Sequence, residues 1–323
     1  MSAEADTAPY NFCTLFDRNY ASRGLALYRS LERVCTKGFR LTILCMDDDV
    51  REAFAKLALP HVRLWTAEDI GDAELLEVRK TRPMREFCWT CPGPLLLALL
   101  REAGGGAVAA YLDADLAFYS DPAPLFEELG DKDILIHGHR FAPRYQSYAA
   151  ASGIFNVGLI AVRNAPEGIQ CLERWRAQNI EMCVLDPEKG YCGDQKYLDE
   201  WPSLYKNLVV LDHPGAGVAP WNVENHHFAL AADRVLVDGR PLIFYHYHAM
   251  RVVLAGRWPK WMVISALGYS LTSLQRRLLY RPYVRMLRMA QRELDNVALE
   301  APPLSITLGQ FLRYFRVQQL VAG

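Results

Sequence analysis

The chain has 323 residues, 51% hydrophobic and 23% charged, with a formal net charge of −1 from 36 Lys+Arg and 37 Asp+Glu. That length supports one large α/β domain or two small ones around a buried core. The charge balance excludes a generally basic nucleic-acid binder and an acidic disordered chain.

The balance is uneven. Residues 257–323 hold ten basic and three acidic side chains, net +7, which leaves −8 on residues 1–256. The opening residues, Met1 to Pro9, are polar and acidic and lack the basic and apolar regions of a signal peptide. The longest strongly apolar run, Leu95–Leu100, falls far short of the ~20 residues that span a bilayer. A cytoplasmic protein is expected. Cys13, Cys45 and Cys88 sit in apolar stretches and read as buried small hydrophobes of a reducing compartment.

Short apolar runs alternate with helical patterns, which predicts an α/β sheet with helices on both faces. The first strand is expected at Tyr10–Phe16, followed by a helix over 21–35 and a strand at Phe39–Met46. Asp47-Asp48-Asp49 reads as the acidic start of a helix over Val50–Leu59. His61–Trp65 is a third strand, Leu95–Glu102 is helical, Gly104-Gly105-Gly106 turns the chain, and Val108–Leu112 is a buried strand. Asp133–His137 and Ile154–Val162 are further strands, Glu167–Cys183 is a helix, and Val209–Leu211, Val235–Val237 and Leu242–Tyr245 are short late strands.

After Gly256 the character changes. Tyr283, Met286, Leu287, Ala290, Leu294 and Val297 recur at helical spacing, and Arg277, Arg281, Arg285, Arg288 and Arg292 fall on one face. Pro282 either interrupts this line or begins a second helix. The division expected is a main domain over 1–256 and a basic, apolar, helical C-terminal extension over 257–323. With Trp258 and Trp261, the extension suits the surface of an anionic membrane. The alternative packs its apolar face on the main domain or on a second copy.

The sharpest chemical feature is Tyr111-Leu112-Asp113-Ala114-Asp115-Leu116, an apolar strand running into two carboxylates. Residues two apart on a strand point to the same side, so both carboxylates can face one point at the carboxyl edge of a sheet, where open α/β folds bind ligands. Ionised Asp suits Mg²⁺ or Mn²⁺, ions that usually also bind substrate phosphates. The second feature is Tyr245-His246-Tyr247-His248, because a neutral imidazole is a good Mn²⁺ ligand. It could complete an Asp/Asp/His site. Weaker signals are Cys88-Trp89-Thr90-Cys91, without a second pair for zinc, and Trp221-Asn222, expected in a loop near the site, where an aromatic can stack on a ligand ring. No dinucleotide, phosphate-loop or serine-hydrolase motif is present.

Asp113-Ala114-Asp115, Phe155-Asn156-Val157-Gly158, Gly193-Asp194-Gln195-Lys196-Tyr197-Leu198 and His246-Tyr247-His248 stand in the order of glycosyltransferase family 8. With Phe12 to Tyr20, which is similar to that family's first strand and nucleotide-binding loop, the resemblance covers residues 10–250. A closer similarity, through Asp194 to Pro202 and His213 to Ala216, is to bacterial nucleotide-diphospho-sugar transferases.

The resemblance implies an α/β fold of the GT-A type, a mixed, mostly parallel sheet flanked by helices. It also implies a Mn²⁺- or Mg²⁺-dependent, retaining glycosyltransferase. By the same resemblance Asp113, Asp115 and His246 would hold the metal, with Asp113 also touching the ribose. Thr14 would hold the base, Asp17 and Tyr20 would close on the nucleotide, and His248 would join the donor site. Asn156 would line the sugar pocket, with Asp194 and Gln195 at the reacting carbon. The donor would be a nucleotide sugar, most naturally uridine-based, and the acceptor a glycan, glycoconjugate or lipid-linked sugar.

Two departures stand out. The family's Lys-Pro-Trp after the metal His is replaced by Ala249-Met250-Arg251, and the helix that offers an Arg to the donor reads Trp89-Thr90-Cys91-Pro92. Arg79, Lys80, Arg82 and Arg85 are candidate replacements. Competing readings are a sugar nucleotidyltransferase, for which Thr14–Tyr20 lacks the glycine-rich basic loop, and a non-catalytic nucleotide-sugar-binding module.

Overall fold

The computed structural model describes residues 9–253, 261–263, 269, 271–300 and 320–322. The chain begins β1 (Tyr10–Phe16), α1 (Ala21–Val34), β2 (Phe39–Cys45), α2 (Asp48–Leu57) and β3 (Val62–Trp65). Three helices, α3 (Ala73–Arg79), α4 (Met84–Thr90) and α5 (Pro92–Ala103), lead into β4 (Val108–Leu112) and the short β5 (Leu116–Phe118). Next come α6 (Ala123–Leu129), β6 (Ile134–Gly138), α7 (Tyr148–Ser152), β7 (Phe155–Arg163) and α8 (Pro166–Glu181). A two-stranded ribbon, β8 (Leu185–Asp186) and β9 (Tyr191–Cys192), precedes α9 (Trp201–Leu204) and β10 (Leu208–Leu211). A small three-stranded sheet, β11 (Phe228–Ala231), β12 (Arg234–Val237) and β13 (Arg240–Pro241), is followed by β14 (Phe244–His246), which pairs antiparallel with β5. The C-terminal part holds strands β15 (Arg251–Val253) and β16 (Trp261–Val263), helices α10 (Ser273–Gln275) and α11 (Arg281–Asp295), and strand β17 (Leu320–Ala322).

The central sheet has the order β10-β6-β7-β4-β1-β2-β3. Only β7 runs against its neighbours; β1 is parallel to both β2 and β4, and β10 is parallel to β6. The carboxyl ends of β1, β4 and β6 and the start of β7 therefore meet along one edge. Strands buried on both faces read as continuous apolar runs, as in β4 and β7. Helices cover both faces, and the apolar interior divides into two clusters, one on each side of the sheet.

The local chemistry explains the element ends. The Asp47 side chain accepts the Val50 N–H and caps α2, so the acidic triplet starts that helix as expected. Gly24 lets α1 lie against β1, because a Cβ there would enter the Phe16 ring. All eight cysteines are free; Cys13 and Cys45 are buried as expected, whereas Cys88 is half-buried.

The basic C-terminal stretch begins with a capping box, Thr272 with Gln275, and passes through a π-helical turn at Arg276–Tyr280. Helix α11 follows, with Pro282 in its first turn. Tyr283, Val284, Leu287, Ala290 and Leu294 are buried and join the main apolar cluster. Helix α11 lies along α1, where Arg29 pairs with Glu293 at 2.5 Å. Its apolar face is thus covered by the body of the protein, while Arg277, Arg281, Arg285 and Arg292 face outward. Trp258 lies outside the described residues. No helix among the described residues is long and apolar enough to cross a membrane.

Candidate active site

Asp113 and Asp115 flank a turn between β4 and β5, in which Leu116 N–H donates to Asp113 O at 3.1 Å. The carboxylates converge because the chain reverses, not because they alternate along a strand. Two main-chain bonds pin the turn. Asp113 N–H donates to Gly158 O on β7, and Tyr247 N–H donates to Asp115 O, both at 2.9 Å. The pairing of β14 with β5, His246 opposite Leu116, brings the imidazole in from 130 residues away. His246 Nε2 lies 3.1 Å from Asp115 Oδ1 and 3.7 Å from Asp113 Oδ2. One ligand atom from each of the three residues falls within 4.8 Å of the others, and this is the only such group among the described residues.

The tautomer of His246 follows from its neighbours. Gly158 N–H can only donate, so the Asn156 atom 2.9 Å away is Oδ1. His246 Nδ1, 3.2 Å from the same oxygen, must then carry its proton, and Nε2 is aimed at the carboxylates. This is the outer-shell arrangement that orients a ligating histidine. Gly158 makes it possible: a Cβ there would lie 2.6 Å from Asn156 Oδ1 and 2.9 Å from His246 Nδ1.

The charges match the geometry. Burial pushes the Asp113 carboxyl up, His246 opposes and Asp115 assists, leaving it raised to about 6. Burial also pushes Asp115 up, but the charge and hydrogen bond of His246 outweigh it and hold Asp115 down to about 2. Burial favours neutral His246, yet Asp115 and Asp113 raise it above the usual imidazole value. A half-buried Asp113 and a buried Asp115 facing a buried imidazole are a donor set suited to a hard or borderline divalent cation. The residues present fit the metal that the fold implies.

A polar chain extends from this centre. Asn156 Nδ2 donates to Gln195 Oε1 at 2.8 Å and to His139 Nε2 at 3.2 Å, and Gln195 Nε2 donates to Ser152 O at 2.7 Å. Asp194 is buried, its main-chain oxygen accepting from Trp175 Nε1 at 2.9 Å. Burial and the charge of Asp113 push its carboxyl well above the ordinary range. His248 stands perpendicular to His246, with ring centroids 5.7 Å apart, and burial beside it lowers its pKa to about 4.

The nucleotide-loop candidates are placed at the same edge. Thr14 Oγ1 is buried without a hydrogen-bond partner. Asp17 turns its carboxylate onto Asn19, N–H at 3.0 Å and Nδ2 at 2.7 Å. Tyr20 stays 40% exposed, and its hydroxyl pKa is raised by burial and then by Asp115. Trp221 borders the site, but it is 3% exposed, with its ring edge-on to His139, His246 and His248. It walls the histidines in and offers no open face for stacking.

Of the proposed cationic replacements, Arg79 pairs with Glu68 and Lys80 with Glu77. Arg82 holds the Asn179 and Ile180 carbonyls at the end of α8 and the Thr90 hydroxyl. Arg85 lies over the Trp89 ring.

Sequence reasoning passed over Arg23 and Tyr111. Tyr111 donates to Asp113 Oδ1 at 2.9 Å. Arg23 is only 8% exposed and lies three residues after Tyr20. An arginine on the apolar face of an amphipathic helix was the available signal.

The fold is that of the GT-A nucleotide-diphospho-sugar transferases, as the resemblance to glycosyltransferase family 8 implied. The structure aligns with the galactosyltransferase LgtC, solved with donor and acceptor sugar analogues. The TM-score is 0.50 and the identity 16%, covering 86% of this chain and 95% of that one. No protein-family model matches the sequence. The chain is 32% identical over 246 residues to the uncharacterized protein YfnD of Bacillus subtilis (strain 168), covering 76% of this chain and 79% of YfnD. It is 33% identical over 249 residues to the uncharacterized protein YfnF of the same strain, covering 75% and 82%. The chain belongs to the family of YfnD and YfnF.

Proposed function

We propose that this protein is a metal-dependent, retaining glycosyltransferase that moves a sugar from a uridine-diphospho-sugar to a glycan or glycoconjugate acceptor. The observation that carries this reading is the convergence of Asp113, Asp115 and His246 at the carboxyl edge of a GT-A sheet. Asp113, Asp115 and His246 would hold Mn²⁺ or Mg²⁺. When bound, such an ion supplies Lewis-acid stabilisation of the charge that grows on the departing diphosphate.

The chain's own residues prepare the rest. Asn156 keeps the proton of His246 on Nδ1 and leaves Nε2 free for ligation. Thr14, with its unpartnered buried hydroxyl, is assigned to the base, and Tyr20 and Asp17 to the mouth of the nucleotide site. His248, whose pKa is lowered, stays neutral at the donor.

Retention needs a protein nucleophile or attack from the face that the leaving group departs. Burial and the charge of Asp113 push the Asp194 carboxyl well above the ordinary range, against a freely ionised nucleophile, and the Gln195 amide is engaged with Asn156 and Ser152. Both facts favour front-face attack, with Asp194 and Gln195 positioning the reacting groups. A cytoplasmic location is assigned with this chemistry. Peripheral contact with an anionic membrane, which would bring the site to a lipid-linked acceptor, rests on the outward arginines of the C-terminal segment alone.

The test is calorimetric titration of UDP, GDP, CDP and ADP with and without Mn²⁺. Metal-dependent binding of UDP above the others supports the reading, and Asp115→Ala should abolish it. Absence of binding by every nucleotide refutes it.

A further inference from the structure

Resting on the donor reading above, we propose that Arg23 of α1 and Tyr283 of α11 form the second half of the diphosphate site. The C-terminal segment would then be part of the active centre.

The need for such groups follows from charge. Asp113 and Asp115 cancel a divalent cation, so the negative charges of a donor diphosphate still lack a counter-charge. Of the basic side chains nearest in sequence to the family's donor arginine, Arg79, Lys80 and Arg82 are engaged with Glu68, Glu77 and the end of α8, and Arg85 lies over the Trp89 ring. Arg140, also close to the site, is held by the carbonyls of His213 and Ala216.

Arg23 is different. Its Nη1 donates to Asn19 O at 3.0 Å and its Nη2 to Met250 O at 2.6 Å, yet it forms no ion pair among the described residues. A buried guanidinium satisfied only by carbonyls retains free donors and an uncompensated charge. The Tyr20 ring lies 4.4 Å from its centre, and its field reaches Asp115. Arg23 thus lies against Tyr20 and the Met250 main chain, four residues after His246.

Tyr283 supplies the second, independent observation. Its ring stacks flat on Tyr247, centroids 3.6 Å apart and planes 6° from parallel, and Tyr247 in turn bonds the Asp115 main chain. Its hydroxyl is fully buried with no partner. Buried hydroxyls are almost always bonded, and the groups whose charges act on this one are led by Arg23 and Asp115. A phosphate oxygen beside Arg23 would satisfy it.

The experiment is titration of UDP, UMP and Mn²⁺ alone into wild type, Arg23→Gln and Tyr283→Phe. Arg23→Gln should lose about tenfold or more in metal-dependent UDP affinity, the scale of a charge-assisted bond. It should bind Mn²⁺ alone more tightly, because a positive charge beside Asp115 is gone. A merely misfolded variant would lose both affinities. Tyr283→Phe should keep or raise its melting midpoint, since it removes an orphan hydroxyl, and should lose about fivefold in UDP affinity with little change for UMP. UDP affinities within about twofold of wild type in both variants would overturn the assignment. So would parallel loss of UDP and Mn²⁺ in Arg23→Gln together with an unaffected Tyr283→Phe. If wild type binds UDP neither with nor without Mn²⁺, the donor reading itself fails and takes this assignment with it.

Discussion

Gly158→Ala isolates the geometric demand of the candidate metal centre. The residue sits inside β7 with an ordinary strand backbone, so alanine brings no conformational strain and the whole effect is steric. The added Cβ would stand 2.6 Å from Asn156 Oδ1, 2.9 Å from His246 Nδ1 and 3.0 Å from His246 Cε1. Carbon contacts settle near ~3.5 Å, so the ring must retreat by roughly half an ångström or more. Metal-ligand distances tolerate only about 0.2 Å. Disturbing the outer-shell partner of a ligating histidine typically costs 10–100-fold in metal affinity, so Mn²⁺ affinity should fall by at least about tenfold. The overpacking itself should cost about 1–3 kcal/mol of stability. Calorimetric Mn²⁺ titration measures the first effect and urea denaturation the second. Gly105→Ala is the control, because nothing lies within 4 Å of a Cβ there, and it should be neutral to about 0.5 kcal/mol. Unchanged Mn²⁺ affinity in Gly158→Ala would refute the assignment of His246 as a ligand held by Asn156.

Mn²⁺ affinity should fall as pH drops below about 6, where Asp113 takes up a proton and His246 is charged; binding heats that do not vary with the buffer's ionisation enthalpy would contradict this. In the metal-free protein, raised His246 contributes stability that is lost as pH rises through its folded value. Depressed Asp115 contributes stability that is lost as pH falls toward about 2, so the pair helps most between about pH 4 and 6.5, while raised Asp113 subtracts stability as pH climbs from about 4 to 6; urea midpoints of wild type and Asp113→Asn across pH would separate the two. Leu287→Ala in α11 should destabilise the whole domain by about 2–5 kcal/mol in a single cooperative transition; a separate early transition would show that the helix is not part of the core. Membrane contact predicts salt-sensitive co-sedimentation with anionic vesicles that weakens when Arg281 and Arg285 are replaced by Gln, and equal recovery with neutral vesicles would count against it.

Much of this protein is readable along the chain. Strands β1 and β4 follow directly from apolar runs that no helix period fits, and their boundaries match the expectation to the residue. The acidic start of α2 is local chemistry, and so is its cap. The Asp-x-Asp pair and the two histidines are visible as residue types, because carboxylate and imidazole are donors suited to a divalent cation whatever the fold. Their meeting is not local. It depends on β14 pairing with β5 in one register, a contact between segments some 130 residues apart that no spacing rule encodes. The turn that aims both carboxylates is set by main-chain bonds to Gly158 and Tyr247, each distant in sequence. Composition alone left the arginine-rich end free to lie on a membrane or on the body. Packing placed the apolar face of α11 on the body, where Tyr283, Val284, Leu287 and Leu294 are buried against α1 and the core, while the arginines that carry the proposed membrane contact stay on the outer face. The same burial stacks the Tyr283 ring on Tyr247 and leaves its hydroxyl unpartnered, an arrangement that exists only once α11 has packed on the body.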